Sequence, residues 1–509
     1  MRFPLSSSSS PARGLLAALA LVLACEPAPA SDEGPADAEP EAVERSTDAL
    51  PTGLEHRVTT YLEQYGRHWP TFRFHGAVIV ARGDEVGMDR AFGNADLIAG
   101  LPNERSTVFR LGTLSAQLTA AAVMRLAEAG ALSVSDPVSK YVPHWAGGKI
   151  TTIEHLLSHR SGISNYTDDL MFRVWKKGPR TIKDTLELFR GDPLEFEPGS
   201  DTSPSNSNYV LLGAILEKVT GKPYPEVVAE QVLAPLEMEH TYYATTDEAQ
   251  ATGMVFNEEE FLEVVHDVHP AAFGPAGGWL STSGDMLRWV RGLVSERLVS
   301  GRTVKHMLGL LDEGLGYGWA TMEIAGHTAT SWPGLIDGFN STVLYIPHDD
   351  TTIIVLANSE VVPAGEVASD IATILYEDEL PRREELVPAP IPIEAQLPSL
   401  GRYVLTRGTE QALSSAAPDA FEKLGEVFIR PAGDHLVFDV PGHGHKRMHP
   451  LGQGRYFFKD ALGTTADVVI RVDRSALLVL ESAGVELRFI RVPEAPPSPG
   501  ALPRPLSTG

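Results

Sequence analysis

The helix that follows Thr113 constrains this chain more than any other segment. Leu118, Ala121, Ala122, Val123, Met124 and Leu126 leave it apolar almost all round. Such a helix has no face to offer water, so other elements must surround it at the centre of a domain. Gly130 suits its C-terminal cap. A core of that depth needs a long chain, and 509 residues suffice for two or three domains. Hydrophobic residues are 43% and charged residues 21%, a globular balance.

The main globular region runs over 53–378. It opens with an amphipathic helix (Leu54 to Tyr65) and strand-like runs at His75 to Val86 and Met88 to Asp96. Two further runs, STVLYIP (Ser341 to Pro347) and TTIIVLAN (Thr351 to Asn358), come near its end. Early and late strands around a helical middle predict an α/β fold with one mixed sheet closed by both ends of the chain. Residues 379–397 are Pro-rich and read as a linker. Beyond them VFIRP, HLVFDV, ADVVIRVD, ALLVLE and VELRFIRV are short and mostly alternating. They predict a small β-barrel or sandwich over 398–493, followed by a disordered tail at 494–509.

The N-terminus carries a targeting signal. Arg2 and Arg13 precede an apolar run, Gly14 to Ala24, too short to span a bilayer. Val22-Leu23-Ala24-Cys25 is similar to the lipobox of bacterial lipoproteins, and Cys25 is the chain's single cysteine. Residues 1–24 are then a lipoprotein signal peptide, Cys25 the lipidated first mature residue, and 25–52 an acidic tether too poor in large apolar residues to fold. This predicts a membrane-anchored protein of a bacterial cell envelope. One cysteine excludes an intrachain disulfide. Lys and Arg number 42 against 67 Asp and Glu, a formal charge of −25. That balance argues against nucleic acid, or an anionic membrane, as a partner of a basic surface.

Several segments resemble one family in order and spacing. They include FHGAVIVARGDEV, STVFRLGTLSAQLTAAAVMRLAEAGALSVSDPVSKYVP, ITTIEHLLSHRSGI, NSNYVLLGAILEKVTGKPY, GGWLSTSGDMLRWV and GFNSTVLYIP. These strings look like the serine β-lactamase-related family: class C β-lactamases, D-stereospecific peptidases and esterases. The resemblance implies a β-lactamase/DD-peptidase-like fold with a mixed sheet and a helical subdomain, beside the small all-β domain. It also implies three motifs at one cleft: S-x-x-K opening the central helix, Y-x-N on a loop, and K-T-G or H-x-G on an edge strand.

In this chain the motifs are degenerate. The family's serine falls on Thr113 and its lysine on Ala116. Threonine can attack when a base assists it, but alanine accepts no proton. Ser115 lies about 200° round the helix and points elsewhere. The motif tyrosine falls on Pro204, while Asn206 keeps the amide. Two alignments compete for the third motif. Gly326 to Ala329 (GHTA) looks like a G-H-x-G, but flanking segments fix the spacing on Trp332-Pro333-Gly334. Pro333 gives up a strand N–H, tolerable at an edge. The surviving features are the backbone N–H groups of Thr113 and Leu335, a notch for an anion or carbonyl, and Trp332 as a stacking wall. Thr113, Asn206, Trp332, Gly334 and Leu335 are therefore the candidate binding residues.

Other candidates carry less. Ser158 to Gly162 (SHRSG) resembles a structural turn of the family. Thr282 and Asp285 read as a helix capping box. His266, Asp267 and His269 lack a third distant metal ligand. His443, His445 and His449 sit by Pro441-Gly442 in a loop. The sequence implies no cofactor and no metal. The leading expectation is a non-catalytic relative holding a peptide-like or acyl ligand. A hydrolase using Thr113 or an unrecognised nucleophile, and an envelope protein with a vestigial cleft, stand against it.

Overall fold

The computed structural model describes residues 49–65, 73–145, 147–169, 171–244, 251–256, 262–265, 268–311, 315–377, 391–406, 426–432, 435–440, 444–452, 454–458, 465–470, 476–482 and 485–492. Cys25, the signal and tether segments, the tail, His266, Asp267 and His443 lie outside them.

Early and late strands join in one six-stranded sheet. Its members are β1 (Gly76–Arg82), β2 (Glu85–Phe92), β3 (Ala320–Ile324), β4 (His327–Ile336), β5 (Phe339–Ile346) and β6 (Thr351–Ala357). The order is β3-β4-β5-β6-β1-β2, and every pairing is antiparallel. Gly76 faces Ala357 and Arg82 faces Thr351, so the first strand docks on the last. β5 and β6 are buried along their whole length, which suits the apolar runs VLYI and IIVLA within them.

Helices cover both faces. On one face, α1 (Leu54–Gln64) and the late helix Ala364–Tyr376 bury Val58, Leu62, Val367 and Ile371 against Val78, Val80 and Val355. On the other lies α2 (Ala116–Glu128), approached through a 3-10 turn at Gly112–Ser115. Ten of its residues are buried, from Ala116 to Met124 and Leu126. Gly130 follows with φ of 73°, and its N–H bonds the Ala127 carbonyl. α3 (Asn206–Thr220) and α4 (Ser283–Val294) pack within the same core. Among the described residues no helix is long and apolar enough to cross a membrane.

A separate unit holds an eight-stranded closed barrel, Gly401–Leu405 through Val485–Val492, closed by pairing of its first and last strands. Its interior holds Tyr403, Ile429, Phe438, Met448, Leu478 and Phe489. Three of its strands escape the sequence pattern: Gly401–Leu405, Gly444–Gly452 and Arg455–Phe457. Gly444–Gly452 (GHKRMHPLG) has no apolar alternation, so it reads as loop. Its pairing with neighbouring strands on both sides makes it a strand and places His445 and His449 on it. His449 is buried.

Candidate functional site

Two glycines let the central helix meet the sheet. Gly112 has φ of 55°, and a Cβ there would lie 2.5 Å from the Leu335 carbonyl group. A Cβ on Gly334 would lie 2.2 Å from the Leu111 carbonyl oxygen. Both contacts are with backbone, which cannot give way cheaply. Glycine at both positions therefore brings the turn carrying Thr113 against β4.

The Thr113 hydroxyl is fully engaged there. It donates to the Pro333 carbonyl at 2.8 Å and accepts from the Leu335 N–H at 3.0 Å. In a strand, the N–H and C=O of one residue point to the same edge. Pro333 O and Leu335 N–H thus face Thr113, away from β5. The missing proline N–H removes no bond to β5, because the Pro333 nitrogen faces the same way as its carbonyl. β4 is not an edge strand, contrary to the sequence expectation: it is second in the sheet. The reason the proline is tolerated is local, since the pairing with β3 ends at Ala320 and Ser331. Residues 332–336 run past β3. The Leu335 N–H proposed as a ligand donor is already taken, by the protein's own threonine.

Ala116 is 3% exposed, within the apolar core. Ser115 does point away, as the helix geometry requires, and its Oγ accepts the Trp279 backbone N–H at 3.2 Å. Pro204 is exposed. Asn206 is half-buried at the start of α3, and its Nδ2 donates to Thr167 Oγ1 at 3.1 Å. Trp332 is 6% exposed and stacks on the His159 ring, with centroids 5.5 Å apart and planes 7° from parallel. A wall that was expected to face a ligand instead faces a histidine.

His159 comes from the Ser158 to Gly162 turn. Its Nδ1 accepts from the Ser205 N–H at 3.2 Å, with Asn208 Nδ2 also at 3.2 Å. Burial pushes its pKa down to about 4. Its neutral form therefore dominates at neutral pH, with Nδ1 as acceptor. Nothing in the spacing of SHRSG and Trp332 announces this stack, because it joins positions 173 residues apart. His327, from the competing alignment, sits beside the β3–β4 turn, stacked on His348 at 5.1 Å and away from Thr113.

The remaining candidates have structural partners. Thr282 caps α4 by accepting the Asp285 N–H, as a capping box requires. The other half differs: Asp285 Oδ2 accepts from the His240 N–H and Thr241 Oγ1, tying a loop to the helix start. His269 Nδ1 accepts the Ala271 N–H at 3.1 Å. A feature the sequence conceals is an ion pair between Lys176 and Asp337, beside the β4–β5 turn. Arg110 lies near the same carboxylate, over the Phe339 ring, donating to the Val268 carbonyl at 3.1 Å. Such long-range pairs leave no local pattern.

Comparison with known proteins agrees with this architecture. The family model described as Beta-lactamase matches residues 71–376. PbpX of Bacillus subtilis (strain 168) is 26% identical over 328 residues, 63% of this chain and 78% of that protein. Protein flp of Staphylococcus aureus (strain MW2) is 27% identical over 317 residues, 56% of this chain and 60% of its own length. The octameric penicillin-binding protein homologue from Pyrococcus abyssi shares the fold with a TM-score of 0.57 at 23% identity, over 86% of this chain and 99% of that one.

Proposed function

The chain belongs to the β-lactamase family, and from that premise we propose that it is a non-catalytic member, exported to a bacterial envelope, which binds a peptide-like or acyl ligand reversibly. The observation that carries the reading is the double engagement of Thr113. Its hydroxyl proton points at an amide carbonyl, which is no base, and its lone pair takes the N–H of Leu335. Ala116, where the family has a lysine, offers no proton acceptor. Loss of a general base costs about 10²–10⁴ in rate, and groups acting as one unit lose most of their effect with the first removal.

Binding without attack uses the rim. Half-buried Asn206 keeps an amide for a ligand, and a ligand carbonyl would reach the Leu335 N–H by displacing the Thr113 hydroxyl. A second reading, a vestigial cleft, draws support from one observation: Trp332 lies buried on His159.

Intact-mass measurement after incubation with penicillin and with an activated ester tests the proposal. The expected result is no covalent adduct, together with a ligand-dependent rise in melting temperature. An adduct mapped to Thr113 overturns it in favour of an active hydrolase. No adduct and no thermal shift favours the vestigial cleft. The anchor is tested separately: by intact mass the mature chain should begin at Cys25 and carry acyl chains, and Cys25→Ser should abolish both.

A further inference from the structure

The segment Met171 to Arg180, MFRVWKKGPR, is out of keeping with a chain of charge −25. It holds four basic residues, Arg173, Lys176, Lys177 and Arg180, and no acid, though Asp168 and Asp169 precede it. It also exposes two large apolar side chains, Met171 at 65% and Val174 at 63%. They are three positions apart at a helical turn, Phe172–Trp175, and share a face.

The segment is firmly held. Phe172 is buried against the rings of Tyr166 and Phe273, at 5.3 and 5.1 Å. Lys176 pairs with Asp337, and the His269 N–H donates to the Lys176 carbonyl at 2.8 Å. The Arg180 guanidinium lies 4.1 Å over the Trp175 ring, and its Nε donates to the Trp175 carbonyl at 3.1 Å. Two exposed apolar side chains on so fixed a support cost solubility with no gain in folding.

We propose that Met171–Arg180 is a membrane-contact surface for a bilayer carrying anionic lipid. A soluble polyanion would use the basic residues but has no need of Met171 and Val174. A purely apolar partner would use those two but has no need of the charge. An anionic lipid interface takes both: Met171 and Val174 enter the acyl boundary while exposed Lys177 and half-buried Arg180 meet the headgroups, Lys176 being held by Asp337. Of the nearby acids Asp337 is neutralised by Lys176, while Asp168 and Asp169 adjoin the segment and reduce its charge; acids farther off than a screening length of about 8 Å act weakly at physiological salt.

The test uses the mature chain made without residues 1–25, so that neither the apolar signal segment nor an acyl anchor intervenes. It is sedimented with phosphatidylcholine vesicles, with and without phosphatidylglycerol. Binding is expected only where phosphatidylglycerol is present, weakening as salt is raised. Lys177→Gln should lower the partition about fivefold. Met171→Ser with Val174→Ser should lower it about tenfold. Equal binding to both vesicle types, or none to either, overturns the proposal without recourse to any variant. Salt-sensitive binding that survives the Met171 and Val174 changes also overturns it, since charge alone then suffices.

Discussion

The two sides of α2 and its leading turn handle polarity in opposite ways. Behind the helix, polar groups form a relay. Trp279 Nε1 donates to Tyr224 Oη at 2.8 Å, Tyr224 Oη meets Thr119 Oγ1 at 2.7 Å, and Thr119 donates to the Pro275 carbonyl at 2.8 Å. Gln117 Oε1 accepts Trp289 Nε1 at 2.9 Å. Facing β4 lies the turn of Thr113, and by sequence Thr113, Ala116, Pro204 and Trp332 stand at the motif positions. The one hydroxyl among them is spent on two backbone groups. Behind the helix side-chain polarity holds elements together, while at the turn the Thr113 hydroxyl meets backbone alone.

Breaking the rear side should have the largest effect. Trp279→Ala removes a fully buried ring and the start of the relay, and should cost about 3–5 kcal/mol in urea unfolding. A loss below about 1 kcal/mol would mean that the relay is incidental. Acid comes next. His159, at its ordinary value near 6.5 when unfolded and about 4 when folded, is neutral in the native state. Its contribution is complete above pH 6.5 and is lost as pH falls from there to about 4. The full loss is about 3 kcal/mol. Unfolding midpoints across that range should fall, and His159→Asn should make the fall shallower. A profile unchanged by His159→Asn would remove the stack from the account.

The facing side should respond less. Thr113→Val leaves the Leu335 N–H and the Pro333 carbonyl without partners and should cost about 1–3 kcal/mol. Thr113→Ser keeps both bonds and loses one partly exposed methyl, so its cost should stay below about 0.8 kcal/mol. That variant should also gain no penicillin adduct by mass measurement. An adduct on the Thr113→Ser variant would contradict the view that the corner lacks a base.

Local patterns in the sequence disclose the buried helix, the two ends of the sheet and the all-β character of the second unit. Each depends on periodicity within one segment, which the chain shows directly. The nearness of Trp332-Pro333-Gly334 to Thr113 also follows the spacing of the flanking segments, since the Thr113 hydroxyl meets the Pro333 carbonyl. What the spacing hides is partnership across long separations. It cannot say that Trp332 lies on His159, that Lys176 meets Asp337, or that a strand as polar as Gly444–Gly452 is held by its neighbours. Calling β4 an edge strand failed for the same reason: only half of it lies beyond β3.

The proline at position 333 bears on self-association. A half-strand running past its neighbour is a template on which a foreign strand can add, and envelope proteins fold where other chains are close. Addition needs donors and acceptors along the open side. Here Pro333 has no donor, and Thr113 covers both its carbonyl and the Leu335 N–H. The proline and the threonine together thus take up the groups on which a further strand would first pair.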